Sequence, residues 1–176
     1  MKKCLIVVDY QNDFVDGALG FEGASKIEDR IINLIEKYQH QQDDIIYTKD
    51  THDDNYLNTE EGKNLPVKHC VKGTEGHAFR PRIDALVREE DTVFEKPTFP
   101  SLTLGNFLKE KAYTEIELVG LVSNICVLSN AVIAKAACPH AKISIDTAAT
   151  ASFDNTLHEK ALDVLEGLHI HLTNRG

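Results

Sequence analysis

The chain has 176 residues, of which 42% are hydrophobic and 27% are charged, and its formal net charge is −9. This length fits one domain spanning residues 1–176. The negative charge argues against binding to nucleic acid or to an anionic membrane surface, because both require a basic face. No stretch approaches the roughly 20 apolar residues of a membrane span, and the apolar run at residues 4–8 is too short for a signal-peptide core. We therefore expect a cytoplasmic protein.

Short apolar runs alternate with helical patterns along the chain. Strands are predicted at residues 4–9, 44–49, 92–95, 115–121, 142–146 and 169–173. Helices are predicted at residues 26–38, 81–87, 101–111, 124–137 and 156–166, with Ser101 and Asn124 as N-caps. Strands that are apolar on both faces, joined by helices in right-handed crossovers, predict a three-layer α/β/α sandwich around a six-stranded, mainly parallel sheet. Ligands of such sheets bind beyond the carboxyl ends of the strands.

Cys126 stands where the fourth predicted strand gives way to a helical pattern. The strand breaks at Gly120, so the thiol is expected in the first turn of a helix beyond the strand's carboxyl end. The positive end of a helix dipole can lower a thiol pKa from about 8.5 to between about 3.5 and 7.5. Taken alone, Cys126 is also compatible with a core cysteine, as we expect for Cys4 and Cys138. The irregular cysteine spacing predicts neither disulfides nor a structural zinc site.

Two further ionisable residues lie at predicted strand ends. Asp9 ends the first strand and Lys96 directly follows the third. Separately, Asp9 could cap a turn and Lys96 could be a solvated side chain. Together with Cys126 they bring a carboxylate, an ammonium and a thiol to one edge of the sheet. That combination predicts an amide-cleaving cysteine enzyme, in which Asp9 acts as general base and acid and Lys96 supports the thiolate.

A second group of polar residues begins at the end of the second strand. Asp50 and His52 are two residues apart in an extended segment, so both side chains point to the same side and can share one ion. His69 could supply a third ligand and Glu61 a fourth, within a long polar connection at residues 51–79. Histidine and carboxylate ligands suit Zn²⁺, with Mn²⁺ or Fe²⁺ as alternatives. The other interpretation is a solvated polar loop without a metal.

Five segments of the chain resemble the isochorismatase-like cysteine hydrolases, and within them the nicotinamidase and pyrazinamidase branch. They are VDYQNDF at residues 8–14, TKDTH at 48–52, LPVKHCVKGT at 65–74, EKP at 95–97 and GLVSNICV at 120–127. The resemblance implies a catalytic triad of Asp9, Lys96 and Cys126. It also implies a divalent metal held by Asp50, His52 and His69, with Glu61 as the best match for a variable fourth ligand.

The resemblance has implications for the oxyanion and for the substrate. A non-proline cis peptide is expected at Leu121–Val122, with the amides of Val122 and Cys126 forming an oxyanion hole. The implied substrate is a small amide such as nicotinamide, whose ring could stack on Phe14 or Phe99. Ile125 is expected beside it, where some relatives have histidine or tyrosine. Family members commonly assemble as homo-oligomers.

Some features leave the exact amide open. Residues 65–68 lack the aromatic side chain that many nicotinamidases place just before the third metal ligand. The alternatives are hydrolysis of another small amide, metal-independent cleavage of an ether bond of the isochorismatase type, and a catalytically silent homologue that binds small molecules. The metal ligands argue against the ether reaction, and the intact triad argues against the silent homologue.

Overall fold

One six-stranded sheet organises the computed structural model, which describes residues 2–175. Its strands are β1 (Lys3–Val8), β2 (Asp44–Asp50), β3 (Thr92–Lys96), β4 (Glu115–Leu121), β5 (Lys142–Ala151) and β6 (His171–Thr173). Their order across the sheet is β3-β2-β1-β4-β5-β6, and all neighbouring strands are parallel. The winding direction reverses between β1 and β4, where sheets of this kind bind their ligands.

Helices cover both faces of the sheet. They are α1 (Asn12–Val15), α2 (Glu28–Gln41), α3 (Glu60–Asn64), α4 (Pro81–Asp84), α5 (Leu102–Lys111), α6 (Leu128–Ala137) and α7 (Asn155–Gly167). Alternate residues of β1 enter two separate cores. Leu5 and Val7 pack with residues of α2 and α4, whereas Ile6 and Val8 pack with residues of α5, α6 and α7. The predicted three-layer α/β/α sandwich is confirmed. Within residues 2–175, no helix has the length and apolar character needed to cross a membrane.

The predicted helix at residues 124–137 begins differently in the structure. A π-helical turn at Ser123–Val127 precedes α6. The prediction that Asn124 is an N-cap is wrong, because its Oδ1 is buried without a hydrogen-bond partner. The predicted cap at Ser101 is confirmed, since its hydroxyl accepts a 3.1 Å hydrogen bond from the amide of Leu104.

Several other regions differ from their sequence patterns. The helix predicted at residues 81–87 ends at Asp84, the strand predicted at residues 169–173 begins at His171, and the helix predicted at residues 26–38 spans Glu28–Gln41. The connection at residues 51–79 contains α3 and a short 3₁₀ turn, Tyr56–Asn58, rather than irregular chain alone. Strand β5 continues to Ala151, five residues beyond its predicted end, and its pairing with β4 shifts between Leu118 and Gly120. The added strand residues are small or polar, so they lack the apolar pattern on which a strand prediction depends.

Gly120 brings β4 close to β1 just before the carboxyl ends of the two strands. Its φ of +108° lies in the region that favours glycine, and a Cβ there would clash with the backbone of Val8. Because Gly120 pairs with Val8, the segments that follow the two strands begin side by side. Those segments carry Asp9 and Cys126.

Candidate active site

The ends of three strands bring Asp9, Lys96 and Cys126 together. Asp9 follows β1, Lys96 is the last residue of β3, and Cys126 lies in the π-helical turn after β4. The Lys96 ammonium lies 2.5 Å from Asp9 Oδ2 and 3.6 Å from Cys126 Sγ. All three residues are buried, with exposures of 0%, 1% and 5%. Lys96 is therefore in contact with both a candidate base and a candidate nucleophile.

Thr48 holds the Asp9 carboxylate in place. Its hydroxyl donates a 2.6 Å hydrogen bond to Asp9 Oδ1, and its carbonyl accepts a 3.2 Å bond from the Asp9 amide. Asp9 itself has a φ of +45°, in the left-handed region that non-glycine residues seldom occupy. Such conformations cluster at functional sites. Thr48 belongs to the TKDTH segment, but nothing in its spacing assigned it this role.

Burial and charge pairing set the protonation of Asp9 and Lys96. Burial alone would lower the pKa of Lys96, but the charges of Asp9, Cys126 and Asp50 outweigh it and raise the pKa well above its usual range. Burial raises the pKa of Asp9, although the Lys96 ammonium opposes that shift. Lys96 therefore stays charged, while Asp9 is a stronger base than an exposed aspartate.

Burial also determines the state of the Cys126 thiol. It raises the thiol pKa well above the usual range, and the charge of Lys96 opposes this effect only in part. The expectation of a lowered pKa is therefore wrong for the resting protein. It assumed a thiol at an open helix end, whereas Cys126 lies enclosed in a π-helical turn. A neutral thiol must pass its proton to a base when it attacks a substrate.

Asn130 ties the Cys126 turn to the segment after β3. Its fully buried amide donates hydrogen bonds to the carbonyls of Cys126 at 2.8 Å and Phe99 at 3.0 Å. Its Oδ1 accepts a 3.0 Å bond from the amide of Ser101. Sequence reasoning missed this residue. The available signal was an asparagine within an otherwise apolar helical pattern, four residues after Cys126.

The peptide bond between Leu121 and Val122 is cis, at the predicted position. It directly precedes the π-helical turn that carries the thiol. Both Val122 and Cys126 line the main cavity of the protein. A role for their amides in binding an oxyanion stays a prediction.

The four predicted metal ligands form one cluster beside Lys96. Asp50, His52, Glu61 and His69 each offer a ligand atom, and these atoms lie within 4.8 Å of one another. Asp50 Oδ2 is 3.0 Å from His52 Nε2 and 3.2 Å from His69 Nε2. Glu61 Oε1 is 3.5 Å and 3.9 Å from the same two nitrogens. Helix α3 brings Glu61 to the cluster, as the match to a variable fourth ligand predicted.

Neighbouring groups orient these side chains. The Nδ1 of His69 lies 2.8 Å from the Val67 carbonyl, which directs Nε2 into the cluster. The buried side chain of Gln11 accepts a hydrogen bond from the amide of Asp50 and donates one to its carbonyl, at 2.8 Å and 2.9 Å. Gln11 is a further positioning residue that the sequence did not identify.

The electrostatics of the cluster suit a cation. Burial would raise the pKa of Asp50, but hydrogen bonds from His52 and His69 lower it well below its usual range. Burial and the charge of Asp50 raise the pKa of Glu61. Asp50 Oδ1 is buried without a hydrogen-bond partner, although the Lys96 ammonium lies 3.7 Å away. Two imidazoles and two mutually repelling carboxylates around a common centre therefore fit a divalent ion.

A cavity of about 920 Å³ opens onto both groups. It is lined by Cys126 and Val122, by the metal-cluster residues Asp50, Glu61 and His69, and by the predicted substrate-contacting residues Phe14, Phe99 and Ile125. Phe14 packs edge-on against His69, with ring centroids 5.7 Å apart. A small aromatic molecule in this cavity can thus contact both the thiol and the candidate metal ligands.

Comparison with known proteins reveals one family. A family model described as the Isochorismatase domain matches residues 3–174. The crystal structure of nicotinamidase PncA from Bacillus subtilis is 33% identical, with a TM-score of 0.87 over 98% of this chain and 99% of that one. The nicotinamidase/pyrazinamidase of Mycobacterium tuberculosis is 28% identical over 174 residues, which cover 88% of this chain and 90% of the relative.

A third relative extends the match in fold. The pyrazinamidase of Pyrococcus horikoshii in complex with zinc has a TM-score of 0.86 at 22% identity, over 99% of this chain and 100% of that one. The match of the family model over nearly the whole chain agrees with the five segments singled out in the sequence. The chain belongs to the isochorismatase family.

Proposed function

We propose that this protein is a cysteine amidohydrolase that cleaves a small, nicotinamide-like amide to an acid and ammonia. The observation that carries the proposal is the buried Lys96 ammonium, which contacts both Asp9 and Cys126 beyond the carboxyl ends of β1 and β4. The nicotinamidase and pyrazinamidase names of the relatives support the choice of substrate.

The reaction has two stages. As the Cys126 sulfur attacks the amide carbon, its proton passes to Asp9, whose raised pKa favours acceptance. The amides of Val122 and Cys126 stabilise the oxyanion, a contribution of about 3–4 kcal/mol per donor in comparable sites. Asp9 then gives the proton to the leaving nitrogen, the C–N bond breaks, and a thioester remains. Water attacks the thioester with Asp9 as base, which releases the acid and restores the thiol.

The cluster of Asp50, His52, Glu61 and His69 is proposed as the metal site, with Zn²⁺ as the first choice and Mn²⁺ or Fe²⁺ as alternatives. Its support is the ligand geometry, together with the zinc in the pyrazinamidase of Pyrococcus horikoshii. A bound ion would supply a Lewis-acid contact for a ring nitrogen of the substrate. Phe14, Phe99 and Ile125 are proposed to contact the ring itself, because they line the cavity beside Cys126.

The domain extent, the location, the oligomeric state and the partners are proposed from the sequence. A single domain over residues 1–176, a cytoplasmic location and a homo-oligomeric state stay predictions. The expected partner is a small-molecule amide, and the net charge of −9 supports the exclusion of nucleic acid.

An ammonia-release screen tests the proposed function. Protein supplied with divalent metal is incubated with nicotinamide, pyrazinamide, N-carbamoylsarcosine and simple aliphatic amides. We expect release from nicotinamide and pyrazinamide. Preference for another amide would change the proposed substrate but support the proposed reaction. Cleavage of an isochorismate ether without ammonia release would replace the proposed function, and inactivity toward every substrate would favour a binding role.

Lys96→Met should move the alkylation of Cys126 by iodoacetamide to higher pH. The substitution removes the positive charge 3.6 Å from the sulfur, and this charge stabilises the thiolate. The buried Asp9 then takes up a proton, and the loss of its negative charge lowers the pKa of the thiol. The loss of the Lys96 charge raises that pKa by more, because Lys96 influences the thiol pKa more strongly than Asp9 does. The alkylation rate is measured against pH, with Cys126→Ala as background.

Lys111→Met is the matched control, because it removes an exposed ammonium at the end of α5. It should leave the alkylation profile unchanged. The same profile in the Lys96→Met and wild-type proteins would contradict a supporting role for Lys96. A thiol that resists alkylation in both proteins would favour the silent homologue.

A further inference from the structure

The cavity above Cys126 changes in character from its floor to its mouth. Its floor contains buried side chains, among them Phe14 and His69. Its mouth carries two exposed phenyl rings, Phe99 and Phe153, with exposures of 38% and 62%. Scattered exposed apolar residues are common, but two that line the same cavity offer apolar contacts to one ligand.

The two phenyl rings follow strands on either side of the pair β1 and β4. Phe99 follows β3 and Phe153 follows β5, while β1 and β4 lie between those strands and lead to Asp9 and Cys126. Phe153 is held by an edge-on contact with Phe21, with centroids 6.4 Å apart and an interplanar angle of 78°. A molecule bound at Cys126 and extending toward solvent can contact these exposed rings, since they line the same cavity.

The size of the cavity exceeds what one ring requires. Pockets that enclose drug-sized ligands span about 300–1,000 Å³. At about 920 Å³, this cavity lies near the upper end of that range. A single-ring amide with its carbonyl at Cys126 and its ring against Phe99 would leave much of the volume, including the surface around Phe153, without contacts.

Charge restricts what can occupy the mouth. The lining includes the carboxylates of Asp50, Glu60 and Glu61, whereas no lysine or arginine of residues 2–175 is among the lining residues. Glu60 is exposed and lines the same cavity as the phenyl rings. An anionic group there would be repelled, whereas an uncharged apolar group would gain contacts with Phe99 and Phe153.

We propose that the mouth is a specificity subsite for an uncharged, apolar substituent on the ring of the amide substrate, and that Phe153 is a specificity-determining residue. This inference rests on the proposed function and narrows its substrate class. Nicotinamide would then be accepted, but amides extended by an apolar group would be better substrates.

The test compares nicotinamide with derivatives that carry a phenyl group at ring position 5 or 6, and with the same derivatives bearing a carboxylate on the phenyl ring. For the better phenyl derivative, we expect kcat/KM to exceed that of nicotinamide by about tenfold, mainly through a lower KM. The carboxylate should remove this advantage. Binding to the inactive Cys126→Ala protein, measured by calorimetry, should follow the same order.

Phe153→Ala should reduce kcat/KM for the phenyl derivative by about tenfold and leave nicotinamide within about twofold. Leu157→Ala is the control, because it removes an exposed apolar side chain from α7 outside the cavity lining. It should leave kcat/KM unchanged for both nicotinamide and the phenyl derivative. If wild-type protein cleaves nicotinamide but prefers no phenyl derivative, or if Phe153→Ala affects both substrates equally, the subsite is refuted and the proposed function stands. Ammonia release from no amide at all would refute the proposed function itself.

Discussion

We expect the Cys126→Ala protein to release ammonia from nicotinamide at least about a thousandfold more slowly than wild type, because no other group can form the thioester. Among the cysteines of residues 2–175, Cys126 alone contacts Lys96 and lines the cavity. Fold integrity is checked by circular dichroism, and activity by an ammonia assay. Removal of one sulfur from a turn anchored by Asn130 should leave the structure intact.

Cys138→Ala and Cys4→Ala are matched controls for this loss. Cys138 lies at the end of α6, where its thiol donates a 3.3 Å hydrogen bond to the Leu108 carbonyl, and Cys4 is fully buried within β1. Both should keep activity within about a few fold of wild type, with a small loss of stability from the vacated volume. An equal loss of activity in a correctly folded Cys138→Ala protein would contradict the assignment of Cys126 as nucleophile.

Strand ends were predictable because buried parallel strands produce short, strongly apolar runs. The fourth strand was predicted with its observed bounds, Glu115–Leu121, and β1, β2 and β3 were predicted to within one residue at either end. Polar residues just after such runs meet at one edge of the sheet. That geometric rule alone was sufficient to expect Asp9, Lys96 and Cys126 close together.

Properties that depend on packing were not predictable in this way. The protonation state of Cys126 depends on how completely the protein encloses the thiol, which a sequence does not specify. Likewise, Thr48 and Asn130 act through hydrogen bonds to residues 39 and 31 positions away. Threonine is common in ordinary strands, so only the folded structure distinguishes Thr48. The asparagine in an apolar helical pattern was a signal for Asn130, but it did not indicate which carbonyls the side chain bonds.

The position of Glu61 depends on local structure. Glu60 and Glu61 are adjacent, but only Glu61 faces the histidines. Thr59 caps α3 by accepting a 3.0 Å hydrogen bond from the Gly62 amide, and this fixes the orientation of the helix. As a result Glu60 is exposed, whereas Glu61 Oε1 approaches His52. The choice depends on a one-turn helix that the polar pattern of residues 51–79 did not predict.

Loss of the metal should be the principal defect of the His52→Ala protein. We expect wild-type protein to contain close to one divalent ion per chain by elemental analysis, and the variant to contain almost none. His52 Nε2 lies within 3.5 Å of both carboxylates of the cluster, so its removal takes away the ligand that lies between them. His171→Ala, which removes an exposed imidazole from β6, is the matched control and should retain the ion.

The kinetic defect of His52→Ala should distinguish the role of the proposed metal site from that of the triad. If the ion serves to hold the substrate ring, KM should rise by about tenfold or more, while Cys126 stays reactive toward iodoacetamide. Reactivity should persist because Lys96 and Asp9 still surround the thiol. Full activity of metal-free protein on nicotinamide would contradict this model. Activity of metal-free protein on other amides alone would instead indicate metal-independent chemistry, with the cluster of Asp50, Glu61 and the two histidines serving only to support the loop around α3.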